Sequence, residues 1–93
     1  MNDRKRHEHV TNQGRVIRFV VQYETFVEGE WHPVVRYDTA HGLPHMDRIL
    51  SDGTTEKIPL PIKDLGEALT FADRDVDENW ERYKETYLKG GEK

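Results

Sequence analysis

The chain has 93 residues, 34% hydrophobic and 34% charged, with a formal net charge of −4 at pH 7. That length supports one domain with a modest core, and the two Trp, four Tyr and three Phe concentrate buried area at few positions. The absence of cysteine excludes disulfides, thiolate metal sites and a cysteine nucleophile. No apolar run approaches the roughly 20 residues of a membrane span. The charged start Met1–Arg6 lacks the apolar stretch of a signal peptide, so the expectation is a cytoplasmic protein without a membrane partner.

Charge is unevenly placed. Residues 1–48 hold seven basic and seven acidic side chains, whereas residues 49–93 hold seven against eleven. A broad acidic surface repels phosphate backbones, which disfavours duplex DNA. Arg4-Lys5-Arg6 and Arg36 with Arg48 still suit a single phosphate.

In chain order, residues 1–14 are polar and without periodicity, and read as a flexible N-terminal arm. His7 and His9 within it offer a metal two imidazoles at alternate spacing, against which stands an ordinary solvated tail. Residues 15–27 form the clearest strand, with Ile17, Phe19, Val21 and Tyr23 on one face. Glu28-Gly29-Glu30 is a turn, and residues 31–38 are a second, antiparallel strand. A three-residue loop sets Tyr23 opposite Val35 and Val21 opposite Tyr37, with Trp31 and Pro33 on that same apolar face.

Residues 39–44 are a loop carrying Gly42 and Pro44, and 45–50 a third strand. Asp38 then faces His45, Tyr37 faces Met46, Arg36 faces Asp47 and Val34 faces Ile49. Ser51-Asp52-Gly53-Thr54 turns into a fourth strand, 55–60, which Pro59 and Pro61 confine to an edge or keep short. Asp64, with Glu67 three residues on, caps a helix of about 25 residues and roughly 37 Å. Its stripe is Leu65, Leu69, Ala72, Val76, Trp80, Tyr83 and Tyr87, and Gly90-Gly91 stops it. Asp73, Asp75, Asp77, Glu78, Glu81 and Glu85 read as an acidic, solvated helix face, or one that meets a basic partner. The expected fold is α+β, a four-stranded antiparallel meander with one long C-terminal helix packed on one face (ββββα). The single domain is residues 15–89, and residues 90–93 are a flexible C-terminal end.

The chemistry concentrates in Arg36–Arg48. The register puts Arg36, Asp38, His45 and Asp47 on the face away from the helix, with His41 in the loop above. A His held by a carboxylate is a natural proton shuttle near neutral pH, and an Arg stabilises an anionic phosphorane. The same residues also suit a divalent transition ion, but Gly42 and Pro44 forbid the helical spacing that makes two His a diagnostic ligand pair. The expectation is therefore no metal and no cofactor. Against both stands a structural reading, with Arg36–Asp47 a surface ion pair and His45 donating to Asp38. Val16, Val20, Phe26, Val34 and Ile49 make the outer face half-apolar, which suits a second copy of the chain.

Tyr37-Asp38-Thr39 followed by His45-Met46-Asp47 resembles the TumE-like toxin group, small prokaryotic proteins with a Tyr-Asp-Asn turn, a His-rich strand and a C-terminal helix. The chain is also similar to a small-protein family with an Arg-Tyr-Asp…His-Gly-x-Pro-His-x-Asp pattern. The match covers roughly residues 34–60, with Thr39 in place of Asn and Asp47 where a second His is common. The resemblance implies a toxin-like ribonuclease acting on RNA phosphodiesters and an antitoxin-like protein partner. The candidate catalytic residues are His45, Asp38, Arg36, His41 and Asp47. The alternative is a non-catalytic, homodimeric protein-interaction module.

Overall fold

A computed structural model describes residues 2–39 and 43–90. Among them are five strands and one helix: β1 (Asp3–Asn12), β2 (Arg15–Val27), β3 (Glu30–Asp38), β4 (His45–Ile49), β5 (Thr55–Pro59) and α1 (Leu65–Leu88). The strands form one antiparallel sheet in sequence order. The α+β class and the meander stand, and the count of four strands is corrected to five. Residues 3–12, expected in a flexible arm, are β1. Of the expected C-terminal end, residues 91–93 lie outside the described residues, as does His41 of the loop.

β1 escapes an apolar pattern because it is polar on both faces. Lys5 and His7 pair in register with Tyr23 and Val21, so they face the helix, while Arg4 and Arg6 face outward opposite Glu24 and Gln22. Ion pairs replace apolar contact on the inner side. Lys5 Nζ lies 2.8 Å from Asp73 Oδ1 and 2.7 Å from Asp77 Oδ1, and Lys84 Nζ lies 3.2 Å from Asp3 Oδ2. Asp3 also accepts hydrogen bonds from the Tyr23 hydroxyl at 2.6 Å and the Thr25 hydroxyl at 3.0 Å. Part of the acidic helix face is therefore used within the molecule.

Two-residue turns connect β1 to β2 and β2 to β3. Gln13 and Gly14 have φ of 52° and 79°, and Glu28 and Gly29 have 53° and 82°. Positive φ at both central residues matches the right-handed twist of the flanking strands, and glycine meets that demand without steric cost.

The β2–β3 register is Val21 to Tyr37 and Tyr23 to Val35, as expected, but it is reached differently. The turn is one residue shorter than the anticipated loop, and a bulge at Val34 restores the count. The bulge has two consequences. Val34 and Val35 are both buried, and Trp31 moves to the outer face, where it meets Phe26 edge-on at 5.3 Å. An irregularity at Ile17 likewise leaves Ile17 exposed and packs Val16 against the core. Val34 and Val16 thus leave the half-apolar outer face expected from alternation, and Ile49 also packs partly against the core.

The helix begins as its capping residues require: Asp64 Oδ1 accepts a hydrogen bond from the Glu67 backbone N–H at 2.9 Å. Its buried stripe, Ala68, Leu69, Ala72, Val76, Tyr83 and Tyr87, covers Phe19, Val21, Tyr23, Val35 and Tyr37. Asp75 is enlisted inside this layer. Its Oδ2 accepts the Tyr37 hydroxyl at 2.6 Å and the Tyr83 hydroxyl at 2.5 Å. Both phenols are raised above their ordinary range, by burial first and then by donation to the Asp75 carboxylate.

Candidate functional site

With one sheet face covered by the helix, alternation leaves a polar outer face. There, side chains from four strands form one hydrogen-bonded chain. Arg4 Nε on β1 donates to Glu24 Oε1 on β2 at 2.5 Å. The Gln22 amide donates to Glu24 Oε2, and its carbonyl oxygen accepts from Arg36 Nη1 on β3 at 3.1 Å. Only one orientation of the Gln22 amide satisfies both neighbours. Arg36 Nε then donates to Asp38 Oδ2 at 2.6 Å, and Asp38 Oδ1 stands 2.9 Å from His45 Nε2 on β4.

The β3–β4 register pairs Asp38 with His45 and Arg36 with Asp47, as expected. The side chains partition otherwise. Arg36 turns along its own strand to Asp38, and Asp47 takes Lys57 of β5 at 3.1 Å. The expected Arg36–Asp47 ion pair is therefore corrected to two pairs, Arg36–Asp38 and Lys57–Asp47. The structure brings Asp38, His45 and Arg36 into direct contact, with Asp47 alongside, and His41 lies outside the described residues.

Burial is graded across the cluster. The Asp38 side chain is 10% exposed, that of His45 18% and that of Arg36 42%. A carboxylate this enclosed needs its cationic partners, and Arg36 extends from it toward solvent. His45 Nδ1 lies 3.3 Å from the Leu43 carbonyl oxygen. Both ring nitrogens thus face oxygen acceptors, and the two contacts are satisfied together only when both nitrogens carry a proton.

Asp38, His45 and Asp47 each offer one ligand atom within 4.8 Å of the others. The donor set, one imidazole and two carboxylates, fits a divalent transition ion in kind. Arg36 and Lys57 are already paired with the two carboxylates.

Next to the cluster, an open groove of about 630 Å³ lies between Arg18, Val20, Arg36 and Asp38, with Thr39 at its end. The Thr39 hydroxyl accepts the Phe19 backbone N–H at 3.2 Å, which ties the end of β3 to β2. Two guanidinium groups, together with Glu8 and His9 of β1, thus border a groove beside a carboxylate–imidazole pair. On the other side of the sheet, α1 carries seven acidic and three basic side chains.

Reasoning from the Arg36–Arg48 segment misses Gln22, Glu24, Arg4, Lys57 and Arg18. The available signal was alternation in the neighbouring strands: Gln22 and Glu24 share the outer face of β2 and lie opposite Arg36 and Pro33. Burial pushes the Glu24 carboxyl up, but hydrogen bonds from Arg4 and Gln22 and the charges of Arg4 and Arg6 outweigh it and hold it below its ordinary value.

A family model described as "Domain of unknown function (DUF7718)" matches residues 1–93. No curated protein matches the chain, and no solved structure matches it.

Proposed function

The chain belongs to the DUF7718 family, and we propose that it is a small ribonuclease that cleaves RNA phosphodiesters by acid–base chemistry at Asp38, His45 and Arg36. The observation that carries this reading is that one buried carboxylate holds both a histidine and an arginine, Asp38 Oδ1 to His45 Nε2 at 2.9 Å and Asp38 Oδ2 to Arg36 Nε at 2.6 Å. The resemblance of residues 34–60 to TumE-like toxins supports the same reading, with an antitoxin-like protein as the natural partner.

Asp38 engages Nε2, so Nδ1 is the nitrogen that exchanges a proton. Its contact with the Leu43 carbonyl oxygen, 3.3 Å, is long and weak enough for a substrate oxygen to displace. In its neutral form His45 removes the proton of a ribose 2′-hydroxyl. The 2′-oxygen forms a bond to phosphorus as the bond from phosphorus to the 5′-oxygen breaks, leaving a 2′,3′-cyclic phosphate. The departing 5′-oxygen takes a proton from a second carrier, for which the sequence offers His41. Arg36 neutralises charge that builds on the phosphorane oxygens.

The test is RNA cleavage by wild type and His45→Ala. Loss of the proton carrier costs about 10²–10⁴-fold in rate. Cleavage that survives in His45→Ala at the wild-type rate refutes the assignment. A second reading rests on the ligand atoms of Asp38, His45 and Asp47 within 4.8 Å of one another, as a divalent-ion site. It requires cleavage to stop when chelator is added.

A further inference from the structure

Two imidazoles of β1 converge on the opposite face of the sheet. His7 Nε2 and His9 Nδ1 lie 3.0 Å apart, with ring centroids 5.1 Å apart. The strand makes this possible, because residues two apart point to the same face. The other nitrogen of the first ring faces the helix: His7 Nδ1 lies 3.4 Å from Asp73 Oδ1. Asp73 is placed for this by Lys5, whose ammonium is 2.8 Å from the same oxygen.

We propose that His7 and His9 form a binding site for a divalent transition-metal ion, with Asp73 as the carboxylate that orients His7. Three features support this. First, Asp73 Oδ1 lies 3.4 Å from His7 Nδ1, and a carboxylate on that side favours the Nδ1–H tautomer, which leaves Nε2 free for a metal. Second, metal–nitrogen bonds of about 2.0–2.1 Å at square or tetrahedral angles place two ligand nitrogens about 2.9–3.4 Å apart, which brackets the observed separation. Third, the helix-borne carboxylate behind a ligating imidazole is the usual support of a metal-bound histidine, raising its basicity and fixing its ring. The imidazole pair selects copper, nickel or zinc over magnesium or calcium, which prefer oxygen donors. Water completes the coordination sphere.

The ion also has a structural consequence. Both ligands sit on β1 and their orienting carboxylate sits on α1, so occupancy stiffens the contact between strand and helix. No ligand is shared with the Asp38–His45 pair, although His9 also lines the groove that Arg36 and Asp38 border.

The test is isothermal titration of the full, tag-free chain with nickel or zinc chloride at pH 7.5. The expected result is one ion per chain, binding abolished in His7→Ala and in His9→Ala, and weakened about 10-fold or more in Asp73→Asn. His45→Ala leaves it unchanged. Absence of binding to folded wild type overturns the proposal. So does binding that persists in His7→Ala and His9→Ala but is lost in His45→Ala, which places the ion at Asp38, His45 and Asp47 instead. Circular dichroism confirms that each variant is folded, and both His7 and His9 are exposed enough for alanine to be tolerated.

Discussion

Asp38 Oδ1 stands 2.9 Å from His45 Nε2 across the β3–β4 ladder, while Asp38 Oδ2 accepts Arg36 Nε at 2.6 Å. A carboxylate that is 10% exposed and holds two cationic or proton-carrying groups is costly to remove. Asp38→Ala leaves Arg36 and His45 without their acceptor and lowers unfolding free energy by about 2–3 kcal/mol. Urea denaturation measures it. Asp47→Ala, whose partner Lys57 is 71% exposed, costs less than about 1 kcal/mol.

Tyr37 and Tyr83 donate to the same oxygen of Asp75. Replacing either with Phe removes one charge-assisted hydrogen bond, about 1.5–2 kcal/mol. The double variant is expected to deviate from the sum of the two by at least about 0.5 kcal/mol, because they share an acceptor. A double-mutant cycle in urea gives the coupling directly.

Stability should fall on the acid side. Asp3, Glu24 and Asp73 are all held below their ordinary values, because hydrogen bonds and nearby cations outweigh the upward push of burial. A group with a depressed folded pKa contributes fully above its unfolded value and loses that contribution as pH falls through the folded one. The transition temperature should therefore be level above about pH 5 and drop progressively below pH 4.5. Glu24→Gln lowers the unfolding free energy on the plateau by about 1–2 kcal/mol, and the transition temperature with it, and flattens the acid limb, since one of the titrating groups is gone. Thermal melts from pH 7 to pH 3 show both effects.

β1 is fastened to the helix by ion pairs of Lys5 with Asp73 and Asp77. Lys5→Ala should loosen that contact by about 1 kcal/mol and speed exchange of amides on the inner side of β1 by roughly 5-fold relative to β2 and β3. Raising salt from 0.05 to 1 M should do the same in wild type and have little effect in the variant. Hydrogen exchange by mass spectrometry reads both.

The parts of the fold that follow from apolar alternation were legible in the chain: β2, β3, β4, the helical stripe and the cap at Asp64. β1 was not, because nothing apolar marks it. Its pairing rests on a Gln13-Gly14 turn and on charges complementary to a helix some seventy residues away. The bulge at Val34 was hidden for a different reason. A shorter turn and an extra residue cancel, so the register around Val21 and Tyr37 comes out the same while Trp31 changes face. At the candidate site, strand pairing brought Asp38 to His45, but the partner of Arg36 could not be read from the ladder. Arg36 had a choice between Asp47 opposite and Asp38 on its own strand, and Lys57 on the next strand occupies Asp47. Contributions from Gln22 and Glu24 needed the neighbouring strand to be considered as part of the same surface.

The most direct measurement is cleavage of an end-labelled single-stranded RNA by the wild-type protein and by Asp38→Asn, in the presence of EDTA, with the product ends identified. The account predicts fragments ending in 2′,3′-cyclic phosphate and 5′-hydroxyl, formed without metal, and at least about 10-fold slower in folded Asp38→Asn, whose amide no longer stabilises the charged imidazole. No cleavage by folded wild type, or an equal rate in Asp38→Asn, contradicts it.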